Sequence, residues 1–383
     1  MPTSTTASQV LELDYSLWDP ANITSPSSLQ FIDSLRAALF GLGFFALTNT
    51  PLSNPETRNK IFESTKAFFS LPLETRNQID MAKSKHFRGF AKFGDETTQT
   101  KTDLRDQIDF ATDAEPLNLP EELLREKPFL NLYGRNQFLP DTVLPGYREL
   151  VLDWFDKADK VSRNLTRALE VALGVEEGRL TQYLDGWDSG GTVHGSLPFA
   201  RMKTIRYPAG DIVDGIQRPA GTTQGVGAHK DGGWLTLLAT SEVEGLQIQD
   251  FDGNWITVPY LPTTILINFD QQIENVTSGI AQAATHRVIS SGARTHETRY
   301  SVAWFSLPAL NARLKPIDLA TELDPVVLEQ WNQFQRERGG KEVVCDVPKG
   351  DLFPKLEEEF GWTAWRGLYR SHPRVVEIFY SDY

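Results

Sequence analysis

From about residue 198 the sequence breaks into short apolar runs divided by Gly, Pro, Asn and Asp: WLTLLAT at 234–240, then GLQIQD, WITVPY, TILINF, HRVIS and RYSVAWFSL. Runs of that length and rhythm predict an antiparallel sandwich or barrel. The half before it reads mostly as helix. SLQFIDSLRAALFGLG takes Ser28 as its cap and closes at Gly43, NPETRNKIFESTKAFFSLP stops at Pro72, and FFALTN between them is a short buried-strand candidate. The clearest helix runs from Val143 to Leu173, where Tyr147, Leu150, Val151, Trp154, Ala158, Val161, Leu165, Leu169 and Ala172 recur at three- and four-residue spacing before Gly174. That stripe must be buried, and a sheet is its expected partner. After Pro308 helix and loop return, ending in a Trp- and Tyr-rich tail. The expected class is α+β, with a helical N-terminal region over 1–195, a β core over 196–310 and a helical tail over 311–383.

Composition bounds the partners. Among 383 residues, 40% are hydrophobic and 11% aromatic, enough for a large core and an apolar small-molecule pocket. A formal net charge of −13 without any Lys/Arg block argues against nucleic acid and against an anionic membrane surface, since both need positive charge. MPTSTTASQVLELDY lacks a basic region and a long apolar run, and no apolar stretch reaches membrane-spanning length. The single Cys345 cannot form an intrachain disulfide, which fits a reducing, cytoplasmic setting. Three sequons, at Asn22, Asn164 and Asn275, are expected to be unused. None of these features speaks to oligomeric state.

GVGAHKDGG, at 225–233, places an imidazole, a spacer and a carboxylate between glycines. In extended chain His229 and Asp231 point to one side and Lys230 to the other, which suits a chelate. By itself the motif is better read as a turn whose Asp caps its own backbone. His286 in THRVIS, 55 residues on, adds a second imidazole. Two histidines and one carboxylate make the facial triad that holds Fe(II) and leaves open positions; zinc with an open site is the other metal such a set holds. His86, His194, His296 and His372 lack a comparable carboxylate and are expected at the surface or in packing. In RYSVAWF, Arg299 and Ser301 are two apart on a strand, a guanidinium beside a hydroxyl that can receive a carboxylate. A strand-edge Arg paired with a surface Glu is the plainer alternative. Tyr207 in TIRYPAG offers a phenol from an earlier strand, although a Tyr before Pro is usually a packing residue.

With these segments in order, the chain clearly resembles the Fe(II)- and 2-oxoglutarate-dependent dioxygenase superfamily, in its isopenicillin N synthase-like branch. The likeness covers GAHKDGGWLTLLAT, EGLQIQDFDGNWITVP, ILINFDQQIENVTSG, ATHRVIS and RYSVAWFSLP, with LGFFALTN and FFSLPLETRNQI similar to that branch's N-terminal region. The resemblance implies a double-stranded β-helix, or jelly roll, with iron held by His229, Asp231 and His286. It implies 2-oxoglutarate bound through Arg299, Ser301 and Tyr207, O2 as second cosubstrate, and oxidation of a small molecule by hydroxylation, desaturation or ring formation, in secondary metabolism. Many plant members carry Asn two residues before the matching tyrosine, where this chain has Ile205. Its RYP is similar instead to isopenicillin N synthase, which uses no 2-oxoglutarate and turns the Arg-x-Ser pair on its substrate. An oxidase of that kind, and a jelly-roll binding protein without catalysis, therefore stand beside the oxygenase reading. The longer link from His286 to Arg299, SGARTHE, reads as an enlarged hairpin loop.

Position and parity suggest Phe305, Thr236, Leu246 and Phe269 as pocket residues. Substrate choice is expected in KHFRGFAKFGDETTQTKTDLRDQIDF and the tail after Pro308, with Arg88, Phe90 and Phe93 as lid residues.

Overall fold

A computed structural model describes residues 10–98, 101–185, 195–219, 223–290, 297–337 and 358–382. Its strands are β1 (Leu11–Asp14), β2 (Phe44–Thr48), β3 (Gly89–Ala91), β4 (Asp106–Ala111), β5 (Phe199–Tyr207), β6 (Gln224–His229), β7 (Leu235–Thr240), β8 (Leu246–Gln249), β9 (Trp255–Thr257), β10 (Thr264–Phe269), β11 (His286–Ile289) and β12 (Arg299–Leu307), besides two short hairpins. They form an eight-stranded sheet in the order β1-β2-β10-β7-β12-β5-β4-β3 and a four-stranded sheet in the order β6-β11-β8-β9. Apart from the parallel β1–β2 pair, these pairings are antiparallel. The result is the expected α+β jelly roll. The segment before 195 contributes β1 to β4, so it extends the large sheet as well as covering it.

Register decides what each side of the large sheet does. Successive side chains alternate between faces, so one set of residues meets helices and the other meets the small sheet. On the outer face Leu235, Leu237, Ile265, Ile267, Val302, Trp304 and Met202 join one apolar cluster with Val151, Trp154, Ala158, Val161 and Leu165. The latter belong to a long helix, as the stripe predicted. Helices α1 (Pro26–Leu39), α2 (Pro55–Ser70) and α3 (Tyr147–Leu173) cover this face, and the Trp234 indole bonds Thr166 Oγ1 of α3 at 3.1 Å. On the inner face Ile205, Tyr207, Leu266 and Ala303 meet Val226, Leu246, Ile248 and Val288 of the small sheet.

Two helix starts differ from the sequence reading. The cap of α1 is Ser25, whose hydroxyl accepts the Ser28 amide at 3.1 Å, because Pro26 can occupy the first turn where no amide is needed. The long helix begins at Tyr147 rather than Val143: Gly146 stands before it at φ +68°, and the Val143 and Leu144 amides bond Pro140 O in a turn. Beyond the β core, α4 (Gln271–Val276) follows β10, and the tail supplies α5 (Pro325–Glu337), α6 (Phe360–Ser371) and α7 (Pro373–Phe379). Trp365 and Tyr380 of the tail pack on Phe87, and Arg374 reaches Asp80 at 3.0 Å and Asp95 at 2.7 Å. These contacts bring the last helices back over the open end of the jelly roll.

Candidate active site

His229 ends β6, His286 begins β11, and the two are direct partners across the small sheet with ring centroids 4.3 Å apart. Asp231 lies two residues beyond the strand end. Its Oδ1 is 3.5 Å from His229 Nε2 and its Oδ2 is 3.6 Å from His286 Nε2. One ligand atom from each of the three falls within 4.8 Å of the other two. The backbone aims both rings: His229 Nδ1 is 2.8 Å from Gly227 O and His286 Nδ1 is 3.1 Å from Ala284 O. A proton on each Nδ1 donates to that carbonyl, so each Nε2 presents a lone pair to the common point.

The carboxylate is held as firmly. Asp231 Oδ2 accepts from Thr236 Oγ1 at 2.8 Å and from Asn268 Nδ2 at 2.9 Å. Burial opposes its ionisation, but the two imidazoles and Asn268 outweigh burial and keep the carboxyl below its ordinary range. Burial, with His229 alongside, pushes His286 down to about 4, so that ring is neutral near pH 7. An ionised carboxylate and a neutral imidazole are the protonation states in which these groups bind a metal. Gly233 serves a backbone role: a Cβ there would stand 2.6 Å from Ser306 O of β12. The donor set fits ferrous iron.

A second cluster, Glu96, Asp109 and His372, also brings three donor atoms within 4.8 Å. Cations already occupy it. Arg105 lies 2.7 Å and Lys203 3.3 Å from Glu96, and Arg201 lies 2.7 Å from Asp109, so a metal ion would meet like charge.

Arg299 and Ser301 stand directly across from Tyr207 and Ile205 on β5. The Arg299 guanidinium is buried 5.0 Å from the Tyr207 ring, and its Nε and Nη1 have no hydrogen-bond partner. No carboxylate among the described residues pairs with it. Burial lowers its pKa, which records the cost of a cation taken from water. A buried guanidinium with the Tyr207 hydroxyl for company but no carboxylate among the described residues fits an anionic ligand, and Ser301 on the same face adds a hydroxyl. Ile205 is buried and apolar, so the amide found there in many plant members has no counterpart at that position.

A cavity of about 310 Å³ opens from His229 and Asp231. Phe305 lines it. Arg105, Arg201 and Lys203 also line it, together with one face of α6. Arg201 and Lys203 were missed, although they lie six and four residues before Tyr207 and share its face by simple alternation. The α6 face needed the tertiary structure, since a helix more than 50 residues past the core has no local mark of where it docks.

The other proposed pocket and lid positions lie elsewhere. Phe269 pairs with Leu235 and belongs to the outer-face core, because one residue of register reverses the face. Thr236 faces inward but spends its hydroxyl on Asp231 and Asp270. Leu246 lines a narrow cleft beside Arg299, at the cosubstrate end. Arg88, Phe90 and Phe93 do not form a lid, since β3 pairs with β4 and all three side chains are buried. Arg88 bonds Leu132 O at 2.7 Å, Phe90 packs on Phe68 and Phe69, and Phe93 sits with Leu104 and Val213. His86 bonds Asn131 O at 2.6 Å, a packing role; His372 packs on Phe87 but, against expectation, also has a carboxylate partner, Glu96, 2.8 Å from its Nε2. His194, His296, Cys345 and residues 291–296 of the expected hairpin loop lie outside the described residues. No helix among the described residues is long and apolar enough to cross a membrane.

Comparison with known proteins fits this geometry. The family model for the N-terminal region of non-haem dioxygenase in morphine synthesis matches residues 13–140, and that for the 2OG-Fe(II) oxygenase superfamily matches residues 202–308. The chain is 30% identical over 351 residues to the 2-oxoglutarate-dependent dioxygenase frbJ of Dothideomycetidae sp. (strain 11243), covering 91% of this chain and 86% of that one. It is 28% identical to a homoarginine-6-hydroxylase of Oryza sativa subsp. japonica, over 79% of this chain and 85% of the relative. Among solved structures, a full-length Neurospora crassa protein crystallised in complex with alpha-KG superposes with a TM-score of 0.68 at 18% identity, over 96% of this chain and 98% of that one, a likeness of fold. The iron, 2-oxoglutarate and O2 that the sequence implied are the cofactor and cosubstrates of this class, and the chain belongs to the 2OG-Fe(II) oxygenase superfamily.

Proposed function

We propose that His229, Asp231 and His286 hold ferrous iron, that Arg299, Ser301 and Tyr207 take the distal carboxylate of 2-oxoglutarate, and that a small molecule of specialised metabolism is oxidised in the cavity beside Phe305. The carrying observation is the buried Arg299 guanidinium, unpaired and on the strand next to β7, whose Thr236 holds Asp231. Iron bound there supplies the O2 chemistry by which 2-oxoglutarate becomes succinate and CO2 while a substrate C–H bond is oxidised.

The chain's own residues bind, orient and exclude water. The Gly227 and Ala284 carbonyls fix the two rings, Thr236 and Asn268 fix the carboxylate, and the outer-face core keeps β7, β10 and β12 rigid beneath them. Arg299 orients 2-oxoglutarate by charge at its far end, since Ile205 gives no polar support nearer the iron. Phe305 and α6 form the apolar wall that keeps bulk water from the substrate. The segments 1–195, 196–310 and 311–383 thereby act as buttress, catalytic core and cover of one unit, in a cytoplasmic setting suited to the lone cysteine.

Similarity to 2-oxoglutarate-dependent dioxygenases favours this reading over an oxidase without 2-oxoglutarate, and the buried Arg299 favours it over a zinc hydrolase or a non-catalytic binder, neither of which needs such a receptor. The test is succinate release from 2-oxoglutarate with Fe(II) and O2. The expected result is succinate formation that disappears in His229→Ala; substrate oxidation without any consumption of 2-oxoglutarate would overturn the reading.

A further inference from the structure

We propose that the substrate is an amphipathic organic acid whose carboxylate, or an equivalent anion, sits on Arg201, Lys203 and Arg105 while its apolar body lies against Phe305 and α6. This rests on the reading of His229 and Asp231 as iron ligands, because the same cavity carries both.

The cavity is one-sided in charge. Arg105, Arg201 and Lys203 line it, whereas Glu96, Asp103 and Asp109, which pair with them, do not. Side-chain exposure has the same order: 13%, 20% and 12% for the three cations, against 6%, 1% and 1% for the three carboxylates. The carboxylates therefore stand behind the cations and fix them, and the cations face the ligand. Arg105 Nε is buried with no hydrogen-bond partner. Apart from Asp231, no carboxylate among the described residues lines the cavity, so a cationic substrate would find no counter-charge from them there. Apolar side chains complete the lining: Phe360, Ala364 and Leu368 lie on one face of α6, and Phe305, the cross-strand neighbour of Arg201, and Leu307 lie on β12.

This anion receptor is distinct from the one for 2-oxoglutarate. Arg299 pairs with Tyr207 at one end of the β5–β12 ladder, and Phe305 pairs with Arg201 toward the other. Six residues of strand separate Tyr207 from Arg201, roughly 20 Å at about 3.3 Å per residue. One bound molecule of 2-oxoglutarate cannot satisfy both ends; Arg105, which precedes the Asp106–Arg206 pair, stands nearer the Tyr207 end, so selection of a second ligand rests on Arg201 and Lys203.

The experiment uses the full chain loaded with Mn(II) and saturating 2-oxoglutarate, which blocks the Arg299 receptor without turnover. Binding of 3-phenylpropionate and decanoate is compared with that of their primary amides by calorimetry. At least one acid should bind about tenfold or more tightly than its amide, as a charge-assisted contact requires. Arg201→Gln should bring that acid down to the level of its amide and leave the amide unchanged, and Arg201→Lys, which keeps the charge, should retain part of the preference. Equal binding of acids and amides, binding of neither acid, or a preference that survives both Arg201→Gln and Lys203→Gln would overturn the proposal. The acid-to-amide comparison on the unaltered protein decides even if a variant misfolds. Failure of Mn(II) and 2-oxoglutarate to bind at all would instead sink the reading of the metal site.

Discussion

The two faces of the eight-stranded sheet are built from alternate residues of the same strands and do opposite things. On β12, Val302 and Trp304 point outward into the helix-covered core, while Arg299, Ser301 and Phe305 point inward, Phe305 into the cavity beside His229. On β7, Leu235 and Leu237 point out and Thr236 points in to Asp231. The outer face is predominantly apolar, and its unpartnered polar atoms are neutral ones such as the Trp154 and Trp304 indole N–H groups. The inner face carries buried polar groups, among them an unpaired guanidinium, which cost stability unless a ligand completes them. Stability is therefore concentrated on one side of each strand and chemistry on the other.

Four substitutions break or sharpen that contrast. Trp304→Ala empties a fully buried outer-face site beside Phe155, and should cost about 3–5 kcal/mol in chemical denaturation while the folded fraction still binds 2-oxoglutarate. Glu96→Gln removes the carboxylate behind Arg105, Lys203 and His372, and should cost about 3 kcal/mol at neutral pH. Burial opposes ionisation of Glu96, but Lys203 and Arg105 hold its pKa well below the ordinary 4.5. Its stabilisation is thus complete above 4.5 and lost as pH falls through the folded value, so the melting temperature of Glu96→Gln should vary less with pH on the acid side than that of the unaltered protein.

The inner-face ligand positions should behave in the reverse sense. Arg299→Gln should weaken 2-oxoglutarate binding by about 10- to 100-fold, measured by calorimetry, yet leave the melting temperature without cosubstrate unchanged or higher, because an unpaired buried cation is gone. The smallest expected effect is Thr236→Val, which keeps the shape but frees Asp231 of one donor; metal affinity should fall by about tenfold with little change in fold. Large destabilisation by Arg299→Gln, or a selective loss of 2-oxoglutarate binding in Trp304→Ala, would erase the distinction between the faces.

What could be read from the sequence follows the same line. Local signals carried the strands, the α3 stripe and the inward position of Phe305, because spacing along one strand or helix fixes which residues share a face. His229, Asp231 and His286 were legible as a set by residue type and order, and their convergence is seen in the β6–β11 register. Phe269 was misplaced because its face depends on pairing with β7, which its own run does not encode. Arg88 and Phe90 were expected in a lid, but Phe90 is the middle of β3 and Arg88 directly precedes that strand, whose three residues are too few to show a period. The wall made by α6 depends on tail contacts such as Arg374 with Asp80, nearly 300 residues apart. Sequence thus showed the chemistry at the metal end more fully than the recognition at the substrate end.

The most direct measurement is an anaerobic visible titration of the protein with Fe(II) and then 2-oxoglutarate. A weak metal-to-ligand charge-transfer band should grow to one equivalent in the unaltered chain, be absent from Asp231→Ala, and need far more 2-oxoglutarate in Arg299→Gln. No band in the unaltered protein, or an undiminished one in Asp231→Ala, would contradict the assignment of this site.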